Sequence, residues 1–208
     1  RIEIGARLRQ IIGSHSGGQA PDALDGNLSQ NDVDLYRFSL FNTEASAVTV
    51  DQIVFSLSAV SGIETADLSD LRIWDGTSYV VAGGTPVISS GTGTITFTAN
   101  WTIPAATTVH YTLRGDVANL VKDDTVTLSL VPAGVTLVSG DVGGSVSANA
   151  THTADYAATL AENGSGQLTD QLDGTPTQGD KDLFRFRLVN ATVSDLTVSG
   201  STEAGILV

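Results

Sequence analysis

Residues 24–42 read LDGNLSQNDVDLYRFSLFN, and residues 172–190 read LDGTPTQGDKDLFRFRLVN. Eleven positions are identical without a gap, each displaced by 148 residues (172 − 24). Domains commonly hold about 100 to 150 residues, so a chain of 208 residues with that offset holds one full copy of a unit and the start of another. The repeated segment also fixes the kind of unit. Tyr36, Phe38 and Leu40 alternate with Arg37 and Ser39, and Phe184, Phe186 and Leu188 repeat the pattern. Alternation with period two puts one apolar and one polar face on an extended chain, as a half-buried strand requires.

Strand signals continue between the copies. SAVTVDQIVFSLSAV places Val48 and Val50 on one phase and Ile53, Phe55 and Leu57 on the other. The extra residue near Asp51-Gln52 predicts a β-bulge or a bend between sheets. LRIWDGTSYVV holds two β-rich runs around Asp75-Gly76, a favoured hairpin pair. GTITFTANWTI alternates through Ile95, Phe97, Ala99 and Trp101, and TVHYTLRGDV through Val109, Tyr111 and Leu113. Val126, Leu128 and Leu130 follow, before a break at Pro132-Ala-Gly134. Helical signals are confined to ETADLSDL (64–71), read as one turn, and THTADYAATLAEN (151–163), read as a short helix or an extended connector. The expectation is an all-β fold: an antiparallel, Ig-like β-sandwich followed by the start of a second homologous one.

Gly/Ser-rich stretches set the expected boundaries. Residues 1–17 are an N-terminal extension and linker, 18–152 a complete sandwich, 153–165 a second linker, and 166–208 an incomplete second sandwich. In the extension, RIEI alternates like a strand, whereas Leu8, Ile11 and Ile12 share one side of a short helix. An incomplete sandwich leaves an apolar face uncovered. The Arg-containing segment RIEIGARLRQII is therefore a candidate donor strand for a neighbouring copy.

Composition removes several functions. The net charge is −13, from 23 acidic and 10 basic residues, which disfavours binding to a phosphate backbone. There is no cysteine, so disulfides, thiolate nucleophiles and Cys-ligated metals are excluded. No stretch approaches the roughly 20 apolar residues of a membrane helix, so membrane insertion is not expected. The three histidines, His15, His110 and His152, show no metal-ligand spacing and read as surface residues. Neither a G-x-S-x-G elbow nor a phosphate loop occurs, and no catalytic residue is assigned.

Two groups of residues stand out as candidate sites. Asp22, Asp25, Asp32 and Asp34 recur as Asp170, Asp173, Asp180 and Asp182. Such clusters supply oxygen ligands for Ca²⁺, but short Asp side chains also bond to backbone N–H groups in turns. Apart from that possible Ca²⁺, no cofactor is expected. The N-x-[ST] triplets at Asn27, Asn100, Asn149, Asn163 and Asn190 are glycosylation candidates in a surface protein.

The motif LDGxxxQxDxDL[YF]RFxLxN, with VTVDQIVFSLSAVSGIETADLSDLRIWDG and WTIPAATTVHYTLRGDVANLVKDDTVTLSL, resembles tandem Ig-like repeats of large secreted or surface bacterial proteins. GDKDLFRF is also similar to the start of pre-peptidase C-terminal domains of secreted enzymes. The first resemblance implies a non-enzymatic structural module outside the cell, partnered by adjacent repeats or other copies of itself. Two alternatives are a filament or pilus subunit completed by strand exchange, and a calcium- or carbohydrate-binding accessory domain of a secreted enzyme. In the last, Trp74, Trp101 and Tyr79 form a sugar platform.

Overall fold

Alternation becomes burial along the strand that carries the repeated motif. In β3 (Gln30–Asn42), Tyr36, Phe38 and Leu40 are fully buried, while Arg37 faces outward. The structure, a computed structural model, describes residues 8–26, 29–146, 148–156, 158–162, 164–165 and 185–190. Two units divide the chain, Arg1–Asp155 and Tyr156–Val208.

The first unit contains β1 (Leu8–Gly13), β2 (Asp25–Gly26), β3, β4 (Val48–Ser61), β5 (Leu68–Trp74), β6 (Tyr79–Ala82), β7 (Thr85–Ser89), β8 (Thr92–Ile103), β9 (Thr108–Val117), β10 (Thr125–Ser129), β11 (Val135–Leu137), β12 (Asp141–Gly144) and β13 (Ala150–Thr153). One sheet has the order β12-β1-β3-β9-β5-β6, and the other β13-β10-β4-β8-β7, with β11 also pairing β4. All these pairs are antiparallel except β1 with β12, which is parallel. The sheets face one another through interleaved aromatics. Phe55 of β4 lies edge-on to Phe38 (5.6 Å) and Tyr36 (5.8 Å) of β3, and Phe38 stacks on Tyr111 of β9 at 5.3 Å. Each such buried ring contributes about 1.5–3 kcal/mol by leaving water. The fold is an all-β sandwich.

Irregularities fall where the sequence pattern breaks. The β4–β8 register shifts between Val50 and Gln52, the predicted bulge. The Asp75 region turns β5 into β6, its Oδ1 accepting the Thr77 and Ser78 N–H groups. ETADLSDL forms a single 3-10 turn, Thr65–Asp67, before β5. Pro132–Gly134 forms another, where β10 ends and β11 begins. Residues 151–163 hold no helix among those described, and Ala158–Glu162 is a strand.

Within the segment 1–17, read as an extension and linker with a possible donor strand, the described part differs from a linker. Leu8–Gly13 lies inside the first sheet, between β12 and β3. Gln10 and Ile12 point inward and Ile11 outward, so strand phase replaces the helical grouping of Leu8, Ile11 and Ile12. The segment is too short for a stable helix alone, and pairing on both edges satisfies its backbone.

In the second unit, the strands Ala158–Glu162 and Phe186–Asn190 pair antiparallel. Their register is Ala158↔Asn190, Thr159↔Val189, Leu160↔Leu188 and Ala161↔Arg187. Subtracting 148 from each gives 10↔42, 11↔41, 12↔40 and 13↔39, which is the β1–β3 register of the first unit. The second copy therefore includes its own counterpart of β1, and Tyr156, where the second unit opens, corresponds to Leu8 (156 − 148).

Candidate functional site

A bulge in β3 arranges the outward face of the first sheet. Asp34 and Arg37 are three residues apart, so strict alternation would send them to opposite faces. The β3–β9 register slips between Asp34 and Tyr36, and the extra residue, Leu35, is buried beside Tyr36. After the slip, Asp34 and Arg37 share the outer face and pair at 2.7 Å. The other Asp34 oxygen accepts from Arg114 Nε of β9, also at 2.7 Å.

A second knot lies across β5 and β6. Asp32 has a left-handed backbone (φ 54°), its N–H donates to Asp116, and its Oδ1 accepts from Arg72 Nη2 (2.6 Å) and the Tyr79 hydroxyl (2.8 Å). Asp70, also left-handed (φ 45°), pairs with the same Arg72 Nη2 at 3.0 Å. The Arg72 guanidinium lies over the Tyr79 ring at 4.3 Å and that of Arg114 over Trp74 at 5.2 Å, with Trp74 and Tyr79 edge to face at 5.0 Å. Burial alone would lower the Arg114 pKa, but its bonds to Asp34 and Tyr79 outweigh that and hold it above the usual value. Of the four basic residues in 18–155, three (Arg37, Arg72 and Arg114) sit on this face, and Lys122 is the fourth. Arginine and aromatic rings dominate the energetics of protein contacts, and this half-buried set is where the first unit concentrates them.

Beside it, the loop after β1 docks through two imidazoles. The His15 and His110 ring centroids are 4.8 Å apart. His15 Nδ1 accepts the Gly17 N–H at 2.9 Å, and His110 Nδ1 accepts the Ser16 N–H at 3.4 Å. Burial, then His110 and Arg37, lower the His15 pKa against a smaller opposing pull from Asp34. His152 departs from the surface reading. It is fully buried on β13, where Ala150 and Ala154 on the same face leave room for it, and its Nε2 bonds to Leu35 O across the sandwich at 2.8 Å.

The acidic candidates of the first copy go to separate partners. Asp22 accepts the Thr153 N–H, Asp25 bonds to Gln30, and Asp32 and Asp34 hold the arginines described above. Burial raises the Asp25 pKa. Among the described residues, no three His, Asp or Glu groups are placed to hold a metal ion. Asp170, Asp173, Asp180 and Asp182 lie outside the described residues, as do Asn27 and Asn163. Asn100 and Asn149 are exposed; Asn190 is on a strand, and its side chain is not among those described. Trp101 is buried in the core, which removes it from the sugar platform, while Trp74 and Tyr79 remain half-exposed. Among the described residues, no helix is long and apolar enough to cross a membrane.

The arginines were missed because their partners lie on other strands. One signal was present: Arg72 and Trp74 share one phase of β5, and Tyr79 follows directly after its turn.

No protein family matches the sequence, and no curated protein matches it. Solved structures similar to the chain include the cohesin CaCohA2 from Clostridium acetobutylicum, at 11% identity and a TM-score of 0.37, covering 71% of this chain and 91% of that one. The seventh ScaB type I cohesin from Pseudobacteroides cellulosolvens is similar at 7% identity and a TM-score of 0.30, covering 72% and 94%. AvmM, which catalyzes macrocyclization in alchivemycin A biosynthesis, is similar at 12% identity and a TM-score of 0.38, covering 74% and 94%.

Proposed function

We propose that the chain is a non-enzymatic structural module of an extracellular protein built from tandem β-sandwich repeats, with the Arg–aromatic face making contacts to neighbouring protein. The observation that carries this reading is the identical strand register, 148 residues apart, in the two units. The repeated residues serve the sandwich itself: Gln30 ties the Asp25 turn, Asp34 and Arg37 fix the bulge, and Phe38 and Leu40 fill the core. An acidic, cysteine-free, β-rich composition suits a chain that must remain soluble after export. Pulling the chain in a single-molecule force experiment tests the mechanical role. The first unit should resist as one element and release a contour length of about 50 nm in one step, at about 3.5 Å per residue. Gradual extension without such a step would remove the structural reading.

A further inference from the structure

The slot that holds β1 is built to accept a strand by its backbone. On one side β1 runs antiparallel to β3, and on the other parallel to β12, so both of its edges are engaged. The β12 side contributes little side-chain recognition, because Ile11 and Ile12 lie opposite Gly143 and Gly144. A Cβ at Gly144 would stand 2.3 Å from Ile12 O, so the backbones approach closely there. Among the described side chains of β1, Ile12 is the single buried apolar anchor. Gln10 is also fully buried, yet neither amide atom has a hydrogen-bond partner, so the seat does not reward this side chain. Downstream, Ser14–Leu24 contains no strand, and this stretch of eleven residues reaches up to about 36 Å when extended. Charge favours the same step: residues 1–17 carry +2 (three Arg, one Glu), whereas residues 18–155 carry −11 (four basic, fifteen acidic).

We propose that β1 exchanges between molecules, Leu8–Gly13 of one copy entering the slot between β12 and β3 of a second copy of this chain. Strand addition of this kind takes its affinity from main-chain hydrogen bonds, and exchange of an identical element preserves the contacts that β1 itself makes, while the docked loop after it lets go. The inference goes beyond the module reading and stands on β1 alone: force extension tests the module, and cross-linking tests the exchange.

Because the chain has no cysteine, introduced cysteines report the pairing directly. Ile11 and Phe41 face each other across β1 and β3, and both are 37% exposed. Full-length chains carrying Ile11→Cys and, separately, Phe41→Cys are mixed, incubated at moderate urea, returned to buffer and oxidised. The expected result is a disulfide-linked heterodimer of roughly twice the 21.5 kDa chain, at least tenfold more abundant than from Ile11→Cys mixed with Val138→Cys. Val138 is 63% exposed and does not face β1, so that pair measures random collision. A yield no greater than the control overturns the proposal. The double variant Ile11→Cys/Phe41→Cys should close within one chain and, once closed, give no heterodimer; failure to close would also overturn it.

Discussion

Asn42 closes the repeated motif with its side chain at zero exposure and its amide fully engaged. Its two Nδ2 hydrogens are shared among Ser46 O, Ile103 O and Pro104 O, and its Oδ1 accepts the Glu44 N–H. One side chain thereby ties the turn after β3 to the turn between β8 and β9. Its recurrence as Asn190 was legible in the sequence, but its role was not, because two of its acceptors lie about sixty residues further on. Asn42→Ala would leave those carbonyls and the Glu44 N–H buried or half-buried without their partner. The expected loss is about 3 kcal/mol in urea unfolding at unchanged m-value, since each orphaned buried group costs about 1 kcal/mol or more. A loss within experimental error would show that the two turns hold without it. The same contrast holds for the acidic cluster. Four carboxylates close in sequence left a shared cation and separate turn bonds both open, and in the first copy each bonds to a different partner.

Elements were legible wherever one face is buried and the period is two. The β4 bulge and the Asp75 turn each announced themselves by a phase change or a turn pair. The β3 bulge was also written in the sequence, as adjacent apolar Leu35 and Tyr36 flanked by Asp34 and Arg37, but strict alternation through Tyr36, Phe38 and Leu40 masked it. Loop docking left no such trace. His15 and His110 are ninety-five residues apart (110 − 15) and meet only because β1 enters the sheet beside β3. Their contact predicts a pH response with a definite sign. The folded-state pKa of His15 lies below its ordinary 6.5, so the unfolded chain takes up the proton first as the solution is acidified. The His15 contribution to stability is complete above 6.5 and is lost as pH falls through that value toward the lowered folded pKa. His15→Gln should therefore lose less stability than the parent between about pH 7.5 and about pH 5, measured by urea unfolding at each pH. An equal loss in the two proteins would show that the imidazole pair has no energetic weight.

At the scale of the whole molecule, the sequence showed that a unit recurs every 148 residues but not where the unit begins. The segments LRQIIG (8–13) and YAATLA (156–161) share no identical residue, and only the aliphatic Ile12 and Leu160 keep their character. Backbone pairing tolerates that drift because β12 meets β1 through glycines and the ladder asks little of the side chains. Register preserves what identity has lost, and it moves the start of each copy ten residues upstream, from 18 to 8 and from 166 to 156. Shortening the chain at its start distinguishes the two boundaries. A chain from Leu8 to Asp155 should unfold in one cooperative transition. Starting instead at Gly18 removes β1, unpairs the facing edges of β3 and β12, and empties the seat of Ile12. The cost should be about 3 kcal/mol or more, combining one buried aliphatic side chain with several ladder hydrogen bonds. Equal midpoints for the two chains would return residues 8–17 to the status of a linker. A lower midpoint for the chain starting at Gly18 makes β1 a structural part of the repeat.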